Sequence, residues 1–323
     1  MRRSPLSGTT PWRRFAGSGT TPWRRFARSL WLPLALTLAI AGAVLVAQQP
    51  DRSRATEKKA AKKILFLSGP KDHGDPGRHE YEKDLRGLAA ALNAAPNLTG
   101  VTTDVYVGQA PRDPAVYADA AEIVIESSSD RDARETHPLF PPEQHTTNRN
   151  YDQPQLDFLK MLDARMKAGM GITVLHYANW AEHWVARRYY LDWTGGLWVS
   201  GGSRNPVDQW RMTPQNTQHP VLRGVKEWNY RDEVFCRFFL PPDLKRTDLI
   251  VGTPARATIG AQLASWAYER EGGGRAFVMG GPDFHDTLST ADDFRRFLLN
   301  GIVWAAGMEV PAGGVESKAS VIP

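Results

Sequence analysis

Short apolar runs that stop abruptly at a small or polar residue recur through this chain, and they set its fold class. Residues 63–69 (KILFLSG) form such a run, as do Val101–Val107, 122–126 (EIVIE) and 172–176. Each has the length of a strand buried on both faces. Between them lie segments of helical period. Residues 80–93 place Leu85, Leu88, Ala89 and Leu92 on one face, and residues 155–168 do the same with Leu156, Leu159, Met161, Leu162 and Met166. Strand and helix in alternation predict a parallel sheet with right-handed crossovers.

The second half reads as richer in strands, at residues 229–235, 249–252, 263–269 and 275–280. The Gly272-Gly273-Gly274 triplet lacks the Lys-Ser/Thr and helix start of a phosphate loop, so it reads as a hairpin turn. A final helix follows Asp292 and Asp293, buries Phe294, Phe297, Leu298, Ile302 and Ala305, and stops at Gly307 and Pro311. These limits give one α/β domain over residues 63–311 and a mobile tail over 312–323.

Charge is unevenly placed. The chain carries a formal +5, yet residues 1–63 hold thirteen Arg and Lys against Asp51 and Glu57. The remaining 260 residues carry 27 basic and 33 acidic side chains, a net −6. Duplex binding needs clustered basic charge on the folded part, so a nucleic-acid partner is excluded. Residues 1–29 form a basic region in which SGTTPWRRFA occurs twice, at 7–16 and 18–27. Residues 30–47 are uncharged and apolar, followed by a polar linker at 48–62. Basic, apolar and small-residue parts in that order read as a signal peptide or an uncleaved membrane anchor. The expectation is a periplasmic or extracellular protein that meets a membrane only through this segment.

Ligands of open α/β sheets bind at the carboxyl ends of strands. This chain sends His73, His79, His176 and His285, four of its eight histidines, to those ends. With Glu80 they could ligate zinc, but no pair has the i, i+4 helical spacing of a strong motif. Asp72 and Asp75 offset Lys71 and Arg78 in the first loop. Its charge is therefore near neutral, which favours histidines that bond sugar hydroxyls. The residues commit to no cofactor. A divalent metal, if one binds, would take His73, His79 and His176. Strand alternation in Tyr230-Arg231-Asp232-Glu233 puts Arg231 and Glu233 on one face, as an exposed ion pair or as a base held by Arg231. Five of the eleven Trp fall within residues 176–210. Tyr177 and Trp180 among these aromatics suit either a core or a sugar face. The single cysteine, Cys236, lies inside a strand pattern, and no Gly-x-Ser-x-Gly elbow occurs.

The ordered set ILFLSG, HGDPGRHE, IVIESSSD, GITVLHYA, HPVLRGV, YRDEVF, ASWAYEREGGGRAFVMGG and DFRRFLLNGIVWAAG resembles ThuA-like (trehalose-utilisation) proteins. The likeness is nearest to the secreted branch of planctomycete type. It implies a flavodoxin-like, doubly wound, mostly parallel sheet related to class I glutamine amidotransferases. It also implies a link to oxidised (3-keto) sugars. The amidotransferase elbow cysteine has no counterpart at Val174-Leu175-His176-Tyr177-Ala178, so glutamine hydrolysis is not implied. Where the family commonly has Gly-His after the last strand, this chain has Gly281-Pro282, and His285 comes later. The expectation is an enzyme that uses acid/base chemistry on a keto-sugar or glycoside. His176, Asp232, Glu233 and His285 are its catalytic candidates, and His73, His79, Glu80, Tyr177, Trp180 and Arg231 its substrate contacts. The alternative is a non-catalytic carbohydrate-binding or envelope scaffold protein using the same cleft.

Overall fold

The computed structural model describes residues 60–142 and 150–322. The expected signal or anchor at 30–47, the basic region before it and most of the linker lie outside the described residues. Among the described residues, no helix is long and apolar enough to cross a membrane.

Nine strands form one sheet: β1 (Lys62–Ser68), β2 (Val101–Val107), β3 (Ala120–Glu126), β4 (Gly171–Leu175), β5 (Val207–Pro214), β6 (Trp228–Glu233), β7 (Arg246–Pro254), β8 (Gln262–Glu269) and β9 (Arg275–Met279). Their order is β2-β1-β3-β4-β9-β8-β7-β5-β6. The helices are α1 (Tyr81–Asn93), α2 (Gln153–Lys167), α3 (Trp184–Thr194), α4 (Thr287–Thr290) and α5 (Asp292–Ala305).

The expectation of a doubly wound, mostly parallel sheet is overturned. Pairings from β2 through β1, β3 and β4 to β9 are parallel, but those joining β9, β8, β7, β5 and β6 are antiparallel. The sheet is mixed. The reason lies in the connections. A parallel neighbour needs a crossover of a dozen or more residues, usually a helix, whereas an antiparallel one needs only a turn. No α-helix separates β5 from β9, so those strands fold back on one another, β8 and β9 across the glycine triplet.

In the parallel half, alternate side chains enter opposite cores, which is why these strands read as unbroken apolar runs. Ile64, Phe66 and Val124 pack with Leu85, Leu298 and Ile302 of α1 and α5. Leu65, Leu67, Ile123 and Ile125 pack with Leu159, Leu162 and Tyr190 of α2 and α3. The chain runs from β1 to β2 on one side and to β3 on the other. The gap beyond the carboxyl ends of β1 and β3 is therefore a topological switch point.

The tail is docked rather than mobile. Val315 is fully buried, its N–H donates to Asn300 Oδ1 at 2.7 Å, and the Glu316 N–H donates to Asn97 Oδ1 at 3.0 Å. Buried Arg295 donates to Ser317 Oγ at 2.9 Å. Truncation after Pro311 exposes the Val315 site and strips partners from Asn300 and Arg295. It is expected to cost about 3 kcal/mol of unfolding free energy. Urea denaturation of the truncated and full chains checks this, and coincident curves would refute it.

Candidate active site

Two loops at strand ends are zipped together over the switch point. Residues 69–80 leave β1 and residues 280–285 leave β9. Arg78 and Phe284 form an antiparallel bridge, the His79 N–H donates to the Asp283 carbonyl at 3.0 Å, and the His285 N–H donates to the Gly77 carbonyl at 2.9 Å. Lys71 Nζ folds the first loop by donating to the carbonyls of Asp75 and Arg78 and to Glu80 Oε1. Glu80 also accepts from the Gly77 N–H. Partial burial works against its charge, but Lys71 and Gly77 outweigh it and hold its carboxyl down at about 2. Glu80 thus shapes the loop instead of facing a ligand.

His176 sits at the turn from β4 into a 3-10 helix, His176–Asn179, with φ of +49°. Positive φ is uncommon for a residue with a β-carbon and is held only by the surrounding structure. His79 has φ of +51°. Both strained residues aim their rings at one point. Among the described residues, His79, His176, Glu233 and Asp283 each bring one nitrogen or oxygen to within 4.8 Å of the others. His79 Nε2 lies 3.3 Å from Asp283 Oδ1, and His176 Nε2 lies 4.0 Å from Glu233 Oε2. Arg78 ties the carboxylates together, donating from Nε to Asp283 Oδ2 at 2.6 Å and from Nη2 to Glu233 Oε2 at 2.9 Å. Asn205 Nδ2 donates to Glu233 Oε1 at 2.8 Å.

Burial holds both imidazoles neutral. It lowers His79 to about 3, aided by His176, and lowers His176 to about 3 against the pull of the Gly280 carbonyl. Burial, then the neighbouring Asp283, raises Glu233 to about 7, with Arg78 opposing. Beneath this centre lie further carboxyl groups. Glu126 is fully buried with neither oxygen hydrogen-bonded, and burial beside Asp84, Asp232 and Asp283 lifts it well above its ordinary range.

His73 lies against His79, ring centroids 4.1 Å apart and planes tilted by 35°, and its Nδ1 meets Asp72 Oδ1 at 2.6 Å. Its side chain is 38% exposed, so it stands at the mouth. Asp232 is buried, and its Oδ1 accepts from the N–H groups of Asp283 at 2.9 Å and Phe284 at 3.3 Å. It therefore anchors the second loop. Arg231 does not hold Glu233. It lies over the Phe284 ring, 4.7 Å from the centroid, and Arg78 takes the role expected of it. His285 turns to Asp84 of α1 and is not one of the four convergent residues. Tyr177 and Trp180 are core residues: Tyr177 donates to Glu135 at 2.9 Å, and Trp180 packs on Trp198, centroids 3.9 Å apart. Cys236 is buried with its thiol pushed up to about 12 by desolvation, which is no environment for a nucleophile.

Arg78 and Asp283 are absent from the sequence-derived set. The visible signals were the Arg-His pair ahead of α1 and the aspartate of Gly-Gly-Pro-Asp after β9. A groove of about 800 Å³ lined by Arg112, Phe158, Met161 and His183 lies elsewhere and borders residues 142 and 150, between which the chain is not described. The convergent titratable residues are not among those lining it.

Fold and centre together define a mixed-sheet α/β protein with a buried histidine–carboxylate group over a switch point. The family model ThuA, described as trehalose utilisation, matches residues 145–305, a span holding His176, Glu233 and Asp283. The chain is a ThuA-like protein. A ThuA-like protein from Parabacteroides merdae is similar in structure, with TM-score 0.53, 15% identity, and coverage of 82% of this chain and 100% of that one. Another, from Bacteroides uniformis, gives TM-score 0.51, 12% identity, and coverage of 81% and 98%. At such identities the likeness concerns the fold alone. No curated protein matches the sequence.

Proposed function

We propose that this protein is an enzyme of carbohydrate metabolism that moves a proton on an oxidised, 3-keto sugar or glycoside. The observation that carries this reading is the convergence of neutral His79 and His176 with Glu233 and Asp283, entered past the exposed ring of His73. Removing a proton next to a ketone needs a base in reach and a donor for the oxyanion that develops. Asp72 orients His73 at the mouth, Arg78 supplies fixed positive charge, and the centre holds acceptors that solvent does not swamp. The description of the matched family supports a sugar substrate. The apolar segment at 30–47 makes export or anchoring part of the same proposal.

The test is incubation of the purified protein with 3-keto-disaccharides, 3-ketotrehalose first, in deuterated buffer. Proton NMR should show deuterium entering at a carbon bonded to the ketone, with or without cleavage. Saturable binding with neither exchange nor product across the panel would replace the enzyme reading with a binding protein.

A further inference from the structure

The four convergent side chains have a feature that hydrogen bonding within the protein leaves unexplained. His176 is fully buried, and its Nδ1 lies 3.1 Å from the Gly280 carbonyl oxygen, which only accepts. Nδ1 therefore carries the proton, and Nε2 presents a lone pair that has no partner. His79 is oriented by a longer chain. Asp72 Oδ1 accepts from Ser128 Oγ at 2.7 Å, Tyr81 and Ser128 hydroxyls lie 3.2 Å apart, and the Tyr81 hydroxyl lies 3.0 Å from His79 Nδ1. Satisfying all three contacts requires Ser128 to donate to Asp72, Tyr81 to Ser128 and His79 Nδ1–H to Tyr81. His79 Nε2 then also presents a lone pair, facing Asp283 Oδ1, which is buried and accepts no hydrogen bond. Two acceptors left facing each other in a buried site are costly. A cation between them removes the conflict.

We propose that His79, His176, Glu233 and Asp283 bind one divalent transition-metal ion, zinc or manganese. Imidazole and carboxylate together suit ions of this softness, while magnesium and calcium take oxygen shells. A tetrahedral ion about 2.1 Å from each ligand holds ligand atoms about 3.4 Å apart. The His79–Asp283 edge already has that length at 3.3 Å, and the others close by movements on the order of 1 Å. The outer bonds are those of a metal site: ligating histidines donate their second N–H to a carbonyl or hydroxyl, and ligating carboxylates are themselves hydrogen-bonded. Gly280, Tyr81, Arg78 and Asn205 fill these positions. Arg78 offsets one of the two carboxylate charges, and one net negative charge remains to attract the ion. His73, named with His79 and His176 as a ligand if a metal binds, lies against His79 outside the set.

The test needs no sugar, so it stands or falls apart from the proposed substrate. Protein purified without chelator is analysed for elements, stripped, and titrated separately with zinc, manganese and magnesium chlorides by calorimetry. One equivalent of zinc or manganese is expected, with a rise in melting temperature. Affinity should fall at least about 100-fold in His176→Ala and in Glu233→Gln, the second serving if the first does not fold. It should be unchanged in His219→Asn, a histidine that lies outside the four and caps the 3-10 helix Pro220–Leu222. The proposal is overturned if the wild type binds neither zinc nor manganese, or if both ligand variants bind them undiminished.

Discussion

Alanine in place of His176 is expected to lower kcat/KM on a 3-keto-disaccharide by roughly 100-fold or more, the scale lost when a ring that organises the reacting centre, as acid/base group or as metal ligand, is removed. The expectation follows from how completely the fold dictates this ring. Its backbone is held at positive φ, its Nδ1 is fixed by Gly280, and its other face packs on Phe235 with centroids 4.6 Å apart. Gly280 is itself pinned by backbone hydrogen bonds. Its N–H donates to Ala264, its carbonyl accepts from Phe235, and a β-carbon there would lie 2.1 Å from the Phe235 carbonyl oxygen. Nothing in this arrangement serves His176 Nε2, which is left bare toward Glu233. Steady-state kinetics of His176→Ala, read beside its thermal melt, decide the matter. A variant within about threefold of wild type and melting normally would remove His176 from the chemistry.

The parallel half of the sheet was legible because burial on both faces leaves an unmistakable mark, as in KILFLSG and EIVIE. The antiparallel half was only partly so. β5 alternates, but buried Asp208 interrupts its apolar face. That carboxylate accepts from the Gln209, Arg256 and Ala257 N–H groups, partners that no local pattern reveals. α3 was hidden within an aromatic cluster that suited either a core or a sugar face, and Tyr190 and Trp193 fill the core. At the site, strand-end position correctly singled out His79 and His176 as neighbours. It did not disclose Arg78, whose charge read as offset within its own loop because its partners Glu233 and Asp283 lie 155 and 205 residues away. His285 falls outside the four convergent residues. With Pro282 and Asp283 in the Gly-His position, the aspartate reaches the centre and the histidine passes on to α1.

Stability should fall with rising pH through a residue that takes no part in the site. Glu122 of β3 is fully buried, accepts one hydrogen bond from Thr173 Oγ1 at 2.6 Å, and leaves Oε2 without a partner. Desolvation raises its carboxyl well above the ordinary 4.5, against the opposing Thr173 bond. Below that value the carboxyl is protonated whether the chain is folded or not. Above it, the unfolded chain releases the proton while the folded chain keeps it, so ionisation favours unfolding. The loss is about 1.4 kcal/mol per pH unit, from the ordinary carboxylate range up to the raised folded value. Glu126 and Asp232, raised mainly by burial, add slopes of the same sign. Glu122→Gln keeps the shape and the Thr173 bond but cannot ionise. Its buried amide N–H groups cost about 1–3 kcal/mol at every pH, which displaces the curve without tilting it. The variant should therefore start less stable near pH 5 and gain about 1.4 kcal/mol per pH unit on the wild type. Urea denaturation of both proteins at pH 5, 6, 7 and 8 measures the difference directly. Parallel lines would mean that Glu122 is ionised in the folded protein, and that a partner not seen at Oε2 stabilises its charge.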